Sequence, residues 1–324
     1  MSTSQVRYVF VDILRGIAIL LIVYGHITPG ALPFLSDYVS TFHIPLFFFV
    51  SGLLSNETKY SSNFRGFVAE RAKGLLLPFV VFSIIVAIAY AFVTDNFALF
   101  LTNLFTNGWE GVALWFIPVL LMVELVFWPL RKLPFFVVVL LLIGSAVLSY
   151  ISSQKIGMVS NNVLLTFCGL WFYGIGNLCR PLLKQIAVIK HKYVYLLFTA
   201  LGFTGSLLYL PFGTLPEWFI NKIPHPVFYV TPLFAIIGMI GLSLLIENFI
   251  NRYIVLFFST CGKNSLIILA FHQIICLIAQ QFVSSKVAIL IMVIILVFMV
   301  WFIPNYLPWV LGRTKKSEPR LSSN

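Results

Sequence analysis

Residues 9–29 read VFVDILRGIAILLIVYGHITP, and this stretch decides the fold. About twenty mostly apolar residues are what an α-helix needs to cross the hydrocarbon of a bilayer. An open chain has no other way to satisfy its backbone there. The residues before it, MSTSQVRY, lack a charged n-region with a small-residue cleavage site, so the run is expected to be retained as a helix. Nine further runs of the same character follow, at about 38–54, 75–93, 112–130, 134–151, 163–180, 193–211, 229–249, 263–283 and 286–310. The short apolar stretch 253–258, cut off by Gly262, reads as an interfacial lead-in to the ninth. The expected fold is all-α, a polytopic transmembrane bundle of about ten helices.

Composition removes the competing classes. Of 324 residues, 60% are hydrophobic and 10% charged, whereas a soluble domain carries about 25% charged residues. Aromatic residues make up 16%, which excludes disorder. Cys168, Cys179, Cys261 and Cys276 lie in or beside apolar runs without metal-type spacing; they read as small packing residues, with no disulfide framework and no metal site. With the N-terminus in the cytoplasm, 17 Lys and Arg fall in cytoplasmic segments. Only Lys155, Lys222 and Lys286 fall on the other side, and Arg15 lies inside a span. Positive residues accumulate on the inside, so both termini are expected there. The net charge of +11 is then a product of topology and no sign of a nucleic-acid partner. The organisation is one membrane domain over 9–311, between an N-terminal tail (1–8) and a basic C-terminal tail (312–324). FHIP (42–45) and WFIP (115–118 and 301–304) look alike, but they do not map one half of the chain onto the other.

Ionisable residues inside spans are costly and mark function by default. Arg15 and His26 are eleven positions apart in the first span, which puts them on one helical face, ~16 Å apart along the axis. Asp12, three residues before Arg15, is close enough to hold its guanidinium. The second span carries His43 in TFHIPLFFFVSG (41–52). Entering from the opposite side, it reaches nearly the level of His26, beside Pro45 and among small residues (Gly25, Ser51, Gly52). Two imidazoles at one level, sharing a face with an arginine, suggest a cavity over hydrogen-bonded packing residues. Glu124 and His272 fall at similar depth in the cytoplasmic half; they could pair, Glu124 could orient a basic partner, or both could be structural. Arg71 and Lys73 sit in the loop before the third span, where ordinary positive-inside anchors also occur. Trp109 and Trp115 read as interfacial belt residues, and His191 and His225 as loop residues without a role.

These residues suit a cytosolic anionic donor with a long flexible arm. Arg15, Arg71 and Lys73 would clamp phosphates, since guanidinium forks match phosphate oxygens. A pantetheine arm is of the same order of length as the Arg15–His26 separation. His26 would take the proton of an acceptor hydroxyl as it attacks the acyl carbon. No Ser or Cys is placed as a nucleophile, so direct transfer is the simpler mechanism.

The blocks YVFVDILRGIAILLIVYGH (8–26), FHIPLFFFVSGLL (42–54), ERAKGLLLPF (70–79), LWFIPVLLMVELVF (114–127) and GKNSLIILAFHQ (262–273) together resemble the membrane acyltransferase family 3. Within it they are most similar to the fucose 4-O-acetylase-like sugar O-acetyltransferases. The resemblance runs from the first span to the ninth. It implies ten helices in the cell membrane and a cytosolic acyl-CoA donor, usually acetyl-CoA. The acceptor it implies is a hydroxyl of a carbohydrate, such as an exopolysaccharide or its lipid-linked precursor. It further implies His26 as the catalytic histidine, Arg15 as a donor-site residue, Arg71 and with less force Lys73 as its basic companions, and His43 in support. The rivals are a secondary transporter or flippase for a lipid-linked glycan, and a non-catalytic partner of a polysaccharide assembly. Transporters often show paired broken helices in two related halves, which this sequence does not display.

Overall fold

A computed structural model describes residues 7–27, 33–55, 63–94, 112–154, 161–208, 223 and 225–313. Among them there are helices and connecting turns and no strand. The helices are α1 (Val9–Ile27), α2 (Pro33–Leu54), α3 (Phe64–Arg71), α4 (Leu77–Thr94), α5 (Phe116–Leu130), α6 (Phe135–Ser153) and α7 (Asn161–Leu178). They continue as α8 (Leu182–Val188), α9 (Lys192–Ser206), α10 (Thr231–Phe249), α11 (Arg252–Lys263), α12 (Ser265–Gln280) and α13 (Ser285–Tyr306).

Among the described residues, seven segments are each long and apolar enough to cross a membrane, and nine if two bent pairs each count as one. The helix α9, with 15 residues, falls short of that length, and residues 209–211 of the expected seventh run lie outside the described residues. The bent pairs depart from the sequence reading, which saw no broken helix. Between α7 and α8 the chain turns by 60°, where Pro181 stands just before α8 and has no amide proton with which to continue the ladder. Between α11 and α12 it turns by 79°. Asn264 leaves the helical region there (φ −112°, ψ 19°). Its side-chain amide donates back to the Thr260 carbonyl at 3.0 Å, and its own carbonyl starts α12 by accepting from the amides of Ile267 and Ile268.

Two further expectations change. The stretch 253–258 is part of α11, which leads into α12, and Gly262 lies within that helix rather than interrupting it. Arg71 and Lys73 are not in a loop either. The chain passes from α3 through a π-helical turn (Ala72–Leu76) directly into α4, so both residues are on helical backbone. A π-turn adds one residue to the ring and so bulges the helix locally.

The helix α1 is central, packing against α2, α10, α11 and α12. Its first half belongs to an apolar cluster with α2, α9 and α10. Its second half belongs to another, with α4, α12 and α13. A third cluster joins α2 to α5, α6 and α7. Lipid is as apolar as leucine, so helices in a bilayer associate through close packing at small residues. A Cβ on Gly16 of α1 would run into the Phe258 carbonyl of α11, and one on Gly262 of α11 into the Asp12 carbonyl of α1. The apolar side chains that face outward, such as Phe135, Phe136 and Leu140 on α6 and Leu290, Ile294 and Trp301 on α13, are what a lipid-facing surface requires.

Gly262→Val must push α11 off α1 and is expected to destabilise by about 3 kcal/mol, at the upper end of overpacking costs. Gly144→Ala, at a site with nothing within 4 Å of the added carbon, should leave stability unchanged. Thermal melting of both variants in detergent, monitored by size exclusion, checks this; equal melting points would remove the close-packing account.

Candidate active site

The helix α1 brings two of its side chains into two neighbouring cavities. The first, of about 300 Å³, has Arg15 in its wall and Ser51 from α2, Gly74 and Leu75 from the π-turn, and residues 263–267 from the α11–α12 break. Leu311 and Arg313 close it. Arg15 donates from Nη2 to the Ser265 hydroxyl at 2.9 Å, which ties α1 to the first residue of α12. Arg313 is delivered by the 3-10 turn Pro308–Leu311 and by Gly312, whose φ of +67° lies in the left-handed region. A Cβ at Gly312 would also collide with the Lys73 carbonyl, so glycine is required twice over. Arg313 reaches the Lys263 carbonyl from Nη2 at 3.4 Å. Arg15, Lys263 and Arg313 thus line one cavity into which α12 points its N-terminus. A helix N-terminus presents unpaired amides and a partial positive charge. Together with guanidinium groups it makes a site for phosphate.

The second cavity, of about 340 Å³, has His26 from α1, His43 from α2, Trp115 before α5 and Gln273 from α12 in its walls. No charged side chain lines it among the described residues. The His43 Nδ1 lies 2.8 Å from the Val39 carbonyl. A carbonyl can only accept, so Nδ1 carries the proton and Nε2 the lone pair. The Gln273 side-chain oxygen is buried with no hydrogen-bond partner among the described residues. The cavity therefore offers hydrogen-bond acceptors beside an indole, a fit for hydroxyl groups on an uncharged molecule.

Phe47, Phe116 and Leu269 line both cavities and so stand between them. The two phenyl rings meet edge to face with centroids 5.9 Å apart.

Of the site residues expected from sequence, Arg15 lines the charged cavity, and His26 and His43 share the neutral one. Lys73 is exposed at the π-turn, beside Gly74 of the cavity wall. Arg71 is not in that wall. Its Nε pairs with Glu124 at 2.8 Å, and Glu124 is only 4% exposed. That pairing is the basic partner considered for Glu124. Asp12 does not take Arg15; it pairs with Arg7 Nε at 2.7 Å, one turn of chain earlier. His272 is not a partner of Glu124 but lies at the level of His26, with His272 Nε2 3.2 Å from His26 Nδ1. The expected common level of His272 and Glu124 is replaced by one of His272 with His26. Trp115 lines the neutral cavity, and Trp109 lies outside the described residues. Lys263, Arg313 and Ser265 were missed as site residues. The first two were counted only as topological charges, though Lys263 and Ser265 stand inside the quoted GKNS block.

Residues 8–304 match the model of a family described as an acyltransferase domain, acyltransferase family 3. No curated protein and no solved structure matches the chain. Arg313 lies beyond the matched residues.

Removing one partner of a buried pair strands the other's charge. Arg71→Met is therefore expected to cost about 3 kcal/mol of stability, and the double variant Arg71→Met with Glu124→Leu to regain most of it. Thermal unfolding of the two in nanodiscs checks this; a double variant no more stable than the single one would show that the ion pair is not what matters.

Proposed function

We propose that this chain, which belongs to acyltransferase family 3 and is a membrane acyltransferase, moves an acetyl group from cytosolic acetyl-CoA to a hydroxyl of a carbohydrate. The observation that carries the reading is the pairing of a cationic cavity with a neutral, histidine-lined one along the same helix. Arg15, Lys263 and Arg313 would hold the nucleotide phosphates, with exposed Lys73 adding charge at the rim. Arg71 would act through the wall, by fixing Glu124. The pantetheine arm is uncharged and slender, and it would pass Phe47, Phe116 and Leu269 to present its thioester beside His26. His26 Nε2 takes the proton of the acceptor hydroxyl as that oxygen attacks the acyl carbon. The new C–O bond forms, the C–S bond breaks, and the proton is returned to the departing thiolate. His43 and Gln273 accept hydrogen bonds from neighbouring hydroxyls and orient the ring, with Trp115 as a stacking face.

The FHIP block (42–45) supports the fucose 4-O-acetylase-like branch within the family, and with it an exopolysaccharide or lipid-linked sugar as acceptor. The excess of Lys and Arg on one side of the chain supports a cell-membrane location with donor entry from the cytoplasm. The two bent helix pairs favour a second reading, a flippase for a lipid-linked glycan, because broken helices are a transporter device.

His26→Ala is expected to lower transfer of labelled acetyl from acetyl-CoA to glycan by about 10²–10⁴-fold, the contribution of a general base. Transfer at the native rate would remove His26 as the base. Movement of labelled glycan across proteoliposomes without any acetyl transfer would favour the flippase. Arg15→Gln and Lys263→Gln should each raise the KM for acetyl-CoA by about tenfold, the worth of one charge-assisted hydrogen bond. They should leave the KM for acetyl-pantetheine, which has no nucleotide phosphates, unchanged. Equal effects on both donors would count against the phosphate clamp.

A further inference from the structure

The polar groups around His26 form a chain whose proton positions are fixed by its far end. His272 is fully buried in α12. Its Nδ1 lies 2.9 Å from the Ile268 carbonyl and 3.0 Å from the Leu269 carbonyl. Carbonyl oxygens only accept, so His272 Nδ1 must carry a proton. In a neutral imidazole the other nitrogen is then a bare acceptor. That nitrogen, Nε2, lies 3.2 Å from His26 Nδ1, and two bare nitrogens would not attract. His26 Nδ1 must therefore be the protonated one, and the lone pair of His26 is left on Nε2.

We infer that His272 is a positioning residue for His26: it holds the His26 ring in the Nδ1–H tautomer and turns Nε2 into the neutral cavity as the base. The inference rests on the acyltransferase reading for its catalytic meaning, but the tautomer itself does not. During transfer the hydroxyl proton goes to His26 Nε2. The imidazolium so formed keeps its Nδ1 proton in the bond to His272 Nε2, which strengthens as the donor becomes charged. No proton has to pass to His272, whose other nitrogen is committed to two carbonyls. A neutral imidazole here does the orienting that a carboxylate does in hydrolase triads, without placing a second full charge in the membrane. A purely packing role for His272 would be served by any ring of its size and would not depend on an acceptor at the Nε2 position.

Solid-state NMR of the full-length chain in nanodiscs, with histidine ring nitrogens labelled with 15N, tests this directly, because the chain has five histidines. The His26 signals are assigned by their loss in His26→Gln. The expected result is one His26 tautomer, protonated at Nδ1, with a 15N–15N correlation across the hydrogen bond to His272 Nε2. A His26 protonated at Nε2, or no correlation to His272, overturns the proposal. In parallel, His272→Phe fills the space without an acceptor and should lower kcat roughly 10- to 100-fold, less than loss of the base itself. The KM for acetyl-CoA should stay within about twofold, since the donor site is elsewhere. His272→Gln, whose side-chain oxygen can take the place of Nε2, should recover most of kcat. Native kcat in His272→Phe would also overturn the positioning role. Native protein with the expected tautomer but no acetyl transfer would sink the acyltransferase reading and leave the hydrogen-bond chain standing.

Discussion

The contact on which the site depends is the glycine crossing of α1 and α11, where Gly16 and Gly262 each face the other helix's backbone with no room for a Cβ. Arg15 is the residue before Gly16, and Lys263 the residue after Gly262. Bringing the two backbones together therefore brings the two cations to one place, and Asn264 then turns the chain so that α12 starts at Ser265 against Arg15. From that start, α12 runs alongside α1 in the same direction, and His272 arrives at His26. Two side-chain hydrogen bonds, Arg15–Ser265 and His26–His272, tie the two helices at both ends of the site. Each costs less to hold in place because backbone packing has already fixed its partners.

Around this frame the polar groups are sorted. Cations and a helix N-terminus surround one cavity; imidazoles, an amide and an indole surround the other. Buried charge that serves neither is neutralised locally, Asp12 by Arg7 and Glu124 by Arg71. Local pairing of that kind keeps intramembrane charge affordable.

The first helix was almost fully legible. Its apolar length fixed it as a span, and eleven-residue spacing set Arg15 and His26 on one face with no knowledge of anything else. Placing His43 with His26 needed only the opposite direction of the second helix and the rise per residue. What depended on breaks was not legible. Asn264 leaves the helical region, yet the sequence around it reads as one apolar run, so neither the bend before α12 nor the level of His272 can be read from spacing. Asp12 differs for another reason. It has a plausible partner in Arg15, three residues on, and that it pairs with Arg7 instead depends on packing that spacing alone does not encode. Gly262 looked like an interruption because a glycine that permits close approach and one that ends a helix are written alike.

The position of Phe47, Phe116 and Leu269 between the cavities has a consequence for the membrane as a whole. Two cavities hollowed along one helix come close to being a pore, and a pore lined at one end by arginine and lysine would draw anions. An ion passing between the cavities would have to shed its water against two phenyl rings and a leucine, where nothing polar replaces that hydration, at a cost of several kcal/mol. An uncharged thread meets no such barrier. The same three side chains put apolar surface between the cationic cavity and the neutral one.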